Sequence, residues 1–401
     1  MTRSIDVARA DPATDSSRPR RVMISCGEAS GDLYAAALVD ALRASEPHVE
    51  TFGFGGPRLA AAGADLVGNF LGFSVTGLAE AVSVLPRSWR MIRRLGEAAR
   101  ERRPDVFVAV DFPDFNFRLL PILHGLGVPI VYYVSPQLWA WRPGRLHTIA
   151  RYVTEMLVIF PFEVEIYERA GVPVTLVGHP LADLAVVRTP RDEWMAQIGL
   201  NPARPLVALL PGSRPNEVRR ILPVLAQAAS IIHREVPDVQ FVVARAPSLE
   251  ERLFLPLERL RAASIPIVVV EQAADEAMAA ASVVITASGT ATVQAAMHGR
   301  PMVIVYGVSP LTYAIGRRFV KVPHYGMVNL VAGRRIVPEL IQERFTPDHV
   351  ARETVSLLRD PSRADAMRAD LAAVREALGG RGASMRAAQA VWRVATKGSR
   401  S

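Results

Sequence analysis

The feature that most constrains the fold is an alternation of short β-branched segments with longer stretches of helical periodicity. Such alternation is typical of a parallel β-sheet covered by helices, because parallel strands need a long crossover connection. It is interrupted around residues 178–180 and 201–202, and then starts again. The sequence therefore predicts an α/β fold with two successive parallel-sheet domains and a cleft between them. The predicted strands are 21–25, 49–53, 105–110, 130–134, 156–160, 172–177, 206–210, 239–244, 267–270, 283–286 and 302–306.

Length and composition narrow the class of protein. A chain of 401 residues exceeds the size at which one hydrophobic core usually stops growing, which agrees with two domains. The single cysteine, Cys26, excludes a disulfide framework and indicates a reducing cytosol. No apolar run reaches the ~18 residues of a membrane-spanning helix, and residues 1–20 lack the apolar core of a secretory signal. We expect residues 1–20 to be a disordered tail, and the protein to be cytoplasmic or bound to the inner face of a membrane.

Arginine supplies nearly all of the positive charge. The formal net charge is +8, and lysine occurs only at Lys321 and Lys397. This balance suits anionic partners, namely nucleotides, nucleic acid or acidic phospholipids, but does not select among them. Since neither a recognition helix nor an aromatic RNA-binding platform is visible, no nucleic-acid partner is expected. The eight histidines show no i, i+4 pair and no Cys/His cluster, so no metal is expected.

Two polar segments follow strands of the first predicted sheet, at the edge where α/β sheets bind ligands. The segment GEASGD, residues 27–32, fits an ordinary capped turn as well as a substrate loop. In DFPDFN, residues 111–116, Asp111 stands at the tip of a strand, where a carboxylate can act as a general base or orient an acceptor. Asp114 is predicted to cap the following helix instead.

Two further segments follow strands of the second predicted sheet and suit a diphosphate. Backbone N–H groups at a helix start and an arginine fork both bind phosphate oxygens. A capped turn with a surface arginine is the simpler alternative for the first segment, and a plain N-cap for the second. Their occurrence in one domain favours the phosphate interpretation. The residues concerned are Gly212, Ser213 and Arg214 in the first segment, and Ser288, Gly289 and Thr290 in the second.

Residues 75–99 mix apolar side chains with arginines. An apolar face flanked by Arg87, Arg90, Arg93 and Arg94 suits a helix that lies in an anionic membrane interface. The same pattern fits a half-buried helix with a solvated basic face. From the pattern alone we favour the half-buried helix over the membrane helix.

Taken together, these segments closely resemble the lipid-A-disaccharide synthase family, whose members are glycosyltransferases of the GT-B architecture. The resemblance covers residues 21–395, and the run YVSPQLWAWR is highly specific for it. The matching motifs are GEASGD (27–32), FGGPR (54–58), DFPDFN (111–116), YYVSPQLWAWRPGR (132–145), FPFE (160–163), GHPLAD (178–183), LLPGSR (209–214), ASGTAT (287–292) and NLVAGRRIVPELIQ (329–342).

The resemblance implies two Rossmann-like domains that face a cleft, an acceptor domain at 21–185 and a UDP-sugar domain at 186–365, with helices in 366–401 packing back on the first. It implies an inverting transfer of 2,3-diacylglucosamine from UDP-2,3-diacylglucosamine to 2,3-diacylglucosamine 1-phosphate (lipid X). The implied products are the β-1,6-linked disaccharide 1-phosphate and UDP. No cofactor or metal is implied. The implied location is the inner face of the cytoplasmic membrane, as a peripheral protein, and a homodimer is left open.

The resemblance also implies roles for individual residues. Asp111 is the catalytic candidate. Gln294 stands where the family usually has a glutamate that would bond ribose, and Arg335 stands where an acidic residue is usual. The nearest enzyme rivals are a UDP-N-acetylglucosamine 2-epimerase, which would act without an acyl acceptor, and another GT-B transferase. The implied UDP contacts beyond the two phosphate segments are Gln294, Asn329, Glu339 and Gln342, and the acceptor-side candidates are Glu28, Ser30, Asp32, Ser135 and His179, of which the last fits a structural hinge equally well.

Overall fold

The computed structural model describes residues 18–70, 78–138, 143–247, 249–307 and 324–397; for residues 78–84 and 143 it describes the backbone alone. Residues 1–17, most of the predicted tail, lie outside the described residues. So do Trp139 and Trp141 of the motif YYVSPQLWAWRPGR. Within the described ranges the chain forms two parallel β-sheets with helices packed against them.

The first sheet has seven strands. They are β1 (Arg21–Cys26), β2 (Glu50–Gly55), β3 (Asp65–Asn69), β4 (Val106–Val110), β5 (Ile130–Tyr133), β6 (Glu155–Val158) and β7 (Val174–Leu176). Their order across the sheet is β3-β2-β1-β4-β5-β6-β7. Alternate residues enter different hydrophobic clusters, with Ile24 and Val108 on one face and Met23 and Phe107 on the other, so both faces are buried. The helices of this half are α1 (Ala29–Ser45), α2 (Pro57–Ala61), α3 (Leu78–Arg102), α4 (Pro113–Gly125), α5 (Leu146–Tyr152), α6 (Phe162–Arg169) and α7 (Leu181–Leu184).

The second sheet has six strands. They are β8 (Leu206–Leu210), β9 (Gln240–Arg245), β10 (Ile267–Glu271), β11 (Val283–Ala287), β12 (Met302–Tyr306) and β13 (Glu339–Ile341), in the order β10-β9-β8-β11-β12-β13. The remaining helices are α8 (Arg191–Gln197), α9 (Pro215–Glu235), α10 (Glu258–Ala262), α11 (Ala274–Ala280), α12 (Thr290–Met297), α13 (Met327–Ala332), α14 (Pro347–Arg359), α15 (Pro361–Ala377) and α16 (Ala383–Lys397). Short 3-10 turns cover Pro143–Arg145, Glu251–Leu257 and Gln342–Arg344.

Every strand predicted from the sequence is present. The prediction missed β3 and β13, which are both edge strands. The sequence of β3, DLVGN, carries a glycine, and β13 has only three residues. Neither offers the β-branched run by which a buried strand is recognised.

The order of the strands defines the ligand-binding edge of each sheet. In the first sheet the chain leaves β1 towards one side and returns to β4 on the other, so the carboxyl ends of these neighbours form a topological switch point. In the second sheet β8 and β11 form the equivalent switch point. All four polar segments singled out in the sequence directly follow these four strands.

The C-terminal helices divide between the two halves. Helix α15 packs against α12, α13 and α14, and its Leu371 and Val374 are buried there. Helix α16 alone returns to the first half, where it packs on α1 and on β4, β5 and β6. The predicted boundary at residue 366 falls inside α15. The two segments through which the chain passes between the halves are hydrogen-bonded to each other: His179 N donates to the carbonyl of Leu378 at 2.9 Å.

Candidate active site

A cavity of about 590 Å³ lies at the two switch points and is lined by both halves of the chain. The first half contributes the loops after β1 and β4 and the segment after β5. The second half contributes the starts of α9 and α12. Eight of the residues predicted for the site line this cavity: Glu28, Ser30, Asp111, Ser135, His179, Arg214, Gly289 and Thr290.

The turn after β4 holds Asp111 at the cavity. Asp111 (φ 46°) and Phe112 (φ 51°) both have left-handed backbones, and Pro113 disfavours the right-handed helical conformation for the residue before it. The carbonyl of Asp111 accepts hydrogen bonds from Asn116 Nδ2 (2.7 Å) and from the Tyr132 hydroxyl (2.9 Å). Left-handed backbone at non-glycine residues costs about 1–3 kcal/mol each. The surrounding hydrogen bonds offset this cost and fix the position of the carboxylate.

Gly27 allows the loops after β1 and β4 to approach each other closely. A Cβ at position 27 would lie 2.1 Å from the nearest ring atom of Phe112. The Phe112 ring stacks on Phe115 with centroids 5.2 Å apart, so it has little freedom to move aside. Glycine at the first position of GEASGD is therefore a steric requirement of the Asp111 turn.

The electrostatic surroundings of Asp111 suit a general base. Burial, and after it the negative charge of Glu28, raise the pKa of Asp111 to about 6, while the Phe112 N–H and the charge of Arg214 act in the opposite direction. A carboxyl group with this pKa is mostly ionised at pH 7 and accepts a proton more readily than an ordinary aspartate.

Arg214 lies in the cleft, as predicted, and bonds to two carboxylates there. Its Nη2 donates to both carboxylate oxygens of Glu28, at 2.8 and 2.9 Å, which joins the second half of the chain to the first. Its Nη1 lies 3.4 Å from Oε1 of Glu217. The Arg214 and Glu28 side chains are 55% and 51% exposed, so water screens this ion pair.

Two backbone N–H groups of the same loop already have a partner. The N–H groups of Ser213 and Arg214 donate to Oε2 of Glu217, at 3.2 and 3.3 Å. Gly212 has φ 116°, and a Cβ there would lie 2.5 Å from the same oxygen. Glu217 therefore caps the start of α9, and neither Gly212 nor Ser213 lines the cavity. A diphosphate that uses these amides has to displace Glu217.

The second predicted phosphate segment lies partly in the cavity. Gly289 (φ 149°) and Thr290 line it at the start of α12. Burial, and after it the charge of Asp111, raise the pKa of the Tyr34 hydroxyl, and the Thr290 side chain on the other side of the cleft acts in the opposite direction. Ser288 does not line the cavity; its hydroxyl donates to the carbonyl of Tyr325 at 3.1 Å.

Asp32, predicted as an acceptor-side residue, does not line the cavity and has a structural role. Its buried carboxylate accepts from the backbone N–H groups of Gly56 (2.7 Å), Arg58 (3.0 Å) and Leu59 (3.1 Å). Gly56 is the N-cap residue of α2 and has no side chain with which to cap it. Asp32 therefore caps α2 from the neighbouring helix.

Asn329 and Glu339, predicted to contact the nucleotide, build the segment behind the cavity. Asn329 Oδ1 accepts from Ile336 N (2.8 Å) and Val337 N (3.0 Å), and its Nδ2 donates to Glu339 Oε1 at 2.7 Å. The same Glu339 oxygen accepts from Gly326 N at 2.9 Å. Neither residue lines the cavity, because their polar atoms are used in these internal bonds.

Gln294 also bonds within the protein. Its Nε2 donates to Oδ1 of Asp275 at 2.7 Å, and His298 Nε2 lies 2.7 Å from the same oxygen. A glutamate at position 294 would place a second negative charge against Asp275, which gives the glutamine a local explanation. Gln342 begins a 3-10 turn with φ 51°, outside the cavity lining, and Arg335 donates to the carbonyl of Glu339 at 3.4 Å.

His179 and Ser135 line the cavity with nearly buried side chains. Burial lowers the pKa of His179 to about 3, so the ring is neutral. Its Nδ1 accepts from Leu181 N at 3.2 Å, which leaves the proton on Nε2. The Ser135 hydroxyl forms a 2.7 Å hydrogen bond with that of Tyr167. His179 can therefore donate a hydrogen bond in the cleft, but it offers no positive charge.

Arg145 also lines the cavity, although it was absent from the predicted set. Its guanidinium donates to Asp114 and lies 5.0 Å from the centroid of the Phe117 ring. The N-cap position of α4 is Phe112, so the prediction that Asp114 caps this helix is wrong. Arg145 is the last residue of the motif YYVSPQLWAWRPGR, which is the one sequence feature that could have pointed to it. The motif does not show, however, which of its residues face the cleft.

The described residues contain no group of three or more His, Cys, Asp or Glu side chains that could hold a metal ion. None of their helices combines the length and the apolar character needed to cross a bilayer.

The architecture defines the class of protein. The chain matches the structure of the glycosyltransferase of kitacinnamycin with a TM-score of 0.60 and 18% identity, over 94% of this chain and 99% of that one. It also matches the UDP-GlcNAc 2-epimerase from Neisseria meningitidis, bound to UDP-GlcNAc, with a TM-score of 0.57 and 10% identity, over 94% and 100% of the two chains. At these identities the likeness establishes the fold alone. That fold is the GT-B architecture of two Rossmann-like domains, as predicted.

Sequence comparison is more specific. Residues 22–394 match the family model of lipid-A-disaccharide synthetase. The lipid-A-disaccharide synthase of Koribacter versatilis (strain Ellin345) is 45% identical over 383 residues, which are 94% of this chain and 99% of that protein. The chain therefore belongs to the lipid-A-disaccharide synthase family and is a glycosyltransferase of lipid A biosynthesis. The predicted family and enzyme class are confirmed, and the family match gives no support to the epimerase alternative.

Proposed function

We propose that this chain transfers 2,3-diacylglucosamine from UDP-2,3-diacylglucosamine to lipid X, with inversion at the transferred sugar carbon. The main support is the position of Asp111. Its carboxylate, with the pKa raised to about 6, lines one cavity together with Arg214 and the start of α12. A base on one side and anion-binding groups on the other are what this transfer requires.

In the proposed reaction Asp111 accepts the proton of the acceptor 6-hydroxyl while that oxygen attacks C1 of the donor sugar. The bond between C1 and the diphosphate oxygen breaks, and UDP leaves with the bonding electrons. Because attack comes from the side opposite the leaving group, C1 is inverted and the new linkage is β. Arg214 and the N–H groups at the start of α12 stabilise the charge that develops on the diphosphate.

Helix α3 supports a further proposal, contact with the inner face of the cytoplasmic membrane. Leu85 and Trp89 are 42% and 58% exposed, whereas Ile92 and Leu95 are buried in the first half of the chain. The later turns of the helix thus pack on their own domain, while Leu85 and Trp89 expose apolar side chains. The same helix also has exposed arginines: Arg87, Arg90, Arg93 and Arg94. This combination suits an anionic interface, from which acylated substrates have to be taken.

The transfer is tested by incubating the full-length protein with UDP-2,3-diacylglucosamine and lipid X in mixed micelles, followed by mass analysis. We expect the tetraacyl disaccharide 1-phosphate and UDP in equal amounts, and only when both substrates are present. UDP release or an epimerised UDP-sugar without acceptor would contradict the proposal and indicate a hydrolase or an epimerase.

A further inference from the structure

Arg145 is a cation on the acceptor side of the cavity. It ends the 3-10 turn Pro143–Arg145 and directly precedes α5. Its guanidinium donates to Asp114 and lies over the Phe117 ring, with 25% of the side chain exposed. Carboxylate and ring together fix the guanidinium plane, so little side-chain freedom is lost when it binds a ligand.

Among the described residues that line the cavity, the arginines are Arg145 and Arg214, and none is a lysine. They come from opposite halves of the molecule. Arg214 stands beside the second-half loops suited to a diphosphate, while Arg145 stands on the first half, near Asp111. Burial raises the pKa of the Tyr132 hydroxyl, the charge of Asp111 raises it too, and that of Arg145 lowers it, so both charges act on the same ring.

The ion pair with Asp114 leaves Arg145 able to bind a second anion. The Asp114 side chain is 76% exposed, so water screens the charge of this pair, while the hydrogen bond to Asp114 still holds the guanidinium in place. A guanidinium has five N–H donors, more than one carboxylate can use, and its fork matches phosphate oxygens.

We infer that Arg145 binds the phosphate of the acceptor, while Arg214 serves the diphosphate of the donor. This inference rests on the proposed function, in which the acceptor carries a phosphate at C1 and reacts at its 6-hydroxyl. These groups lie at opposite ends of one sugar ring. A cation and a base in the same part of one cavity can hold both ends, so Arg145 orients the hydroxyl towards Asp111.

The test compares Arg145→Ala with the wild-type full-length protein on two acceptors, lipid X and 2,3-diacylglucosamine without the phosphate. Binding of each acceptor and transfer to each are measured. We expect Arg145→Ala to lower affinity and kcat/KM for lipid X about 10- to 100-fold, the scale of a charge-assisted hydrogen bond. Affinity for the phosphate-free acceptor and the KM for the UDP-sugar should change less than about twofold.

Two control variants separate phosphate binding from a structural role. Arg151→Ala removes an exposed arginine of α5 outside the cavity lining and should leave both acceptors unaffected. Asp114→Asn removes the tether of Arg145 and should keep the preference for the phosphorylated acceptor. An equal loss on both acceptors in Arg145→Ala would assign Arg145 a structural role, and no loss on either would exclude it from the site. If the wild-type protein binds lipid X but transfers no sugar to it, the proposed function fails while the binding comparison still decides the role of Arg145.

Discussion

Arg214 Nη2 donates to both carboxylate oxygens of Glu28, at 2.8 and 2.9 Å, across the cleft. Glu28 follows β1 and Arg214 follows β8, so the ion pair connects the two switch points. Glu28 is also the second cause, after burial, of the raised pKa of Asp111. One carboxylate therefore acts both on the proposed base and on the proposed ligand of the diphosphate.

Glu28→Gln is expected to lower the pKa of Asp111, because it removes a negative charge that disfavours the ionised carboxylate. The acidic limb of kcat/KM, which reports the base in the free enzyme, should then move to lower pH. In the wild-type protein, the midpoint of this limb should lie near the pKa of Asp111, which is about 6. The measurement is the pH dependence of kcat/KM for both proteins, with Glu168→Gln, an exposed change on α6, as control. A midpoint that stays in place in Glu28→Gln would contradict this role for Glu28.

Arg214→Ala is expected to weaken UDP binding and slow transfer by about 1–3 kcal/mol, the scale of hydrogen bonds to charged groups. Equilibrium titration with UDP and the rate of transfer are the measurements. Arg219→Ala is the matched control, since Arg219 is exposed on α9 and lies outside the cavity lining. Unchanged affinity and turnover in Arg214→Ala would mean that the diphosphate binds elsewhere.

Asp32→Ala is expected to reduce stability and to leave the substrate KM values unchanged. It strips three backbone N–H groups of their acceptor at the start of α2. Unsatisfied buried donors cost about 1–3 kcal/mol each. Urea unfolding measures the loss, with Asp40→Ala, an exposed change on α1, as control. Full stability of this variant, combined with a raised KM for the acceptor, would contradict the capping role and indicate that Asp32 contacts the acceptor.

Replacing Arg90, Arg93 and Arg94 by glutamate is expected to abolish sedimentation with anionic vesicles at low salt, because each basic residue contributes about 1 kcal/mol near such a surface. Wild-type binding should weaken at high salt. The same charge change on exposed arginines of the second half is the control: Arg252, Arg259 and Arg261. Vesicle binding that neither the α3 replacement nor salt alters would eliminate α3 as an electrostatic membrane contact.

The sequence was most informative where hydrophobic strands end. Asp111 and Arg214 could be placed at the cleft because each follows a buried strand, and topology brings such strand ends together. Asp32, Asn329 and Glu339 were assigned to ligands by motif alone. A polar residue that faces a ligand and one that bonds the backbone behind it look alike in a sequence. Separating them requires knowledge of which backbone N–H groups need a partner from elsewhere in the fold. Those at the start of α2 are an example, because the N-cap residue there is Gly56, which has no side chain.

Arg145 is the opposite case: it lines the cavity, but the sequence did not single it out. Its orientation depends on Asp114, a partner 31 residues earlier in the chain, and on the Phe117 ring. No local pattern encodes such a pairing, because it arises only when α4 and the segment before α5 pack together. Edge strands such as β13 were missed for a related reason: neighbouring strands, and not a local hydrophobic run, define them.

The proposed reaction depends most directly on Asp111 as the group that takes the acceptor proton. The decisive measurement is the rate of disaccharide formation by Asp111→Asn and by the wild-type protein at saturating UDP-2,3-diacylglucosamine and lipid X. Thermal unfolding and UDP affinity, measured in parallel, verify that the variant is folded and binds nucleotide. We predict a rate about 100- to 10,000-fold below wild type, the range that a general base contributes. A folded variant that forms product at the wild-type rate would contradict the assignment of Asp111 as the base.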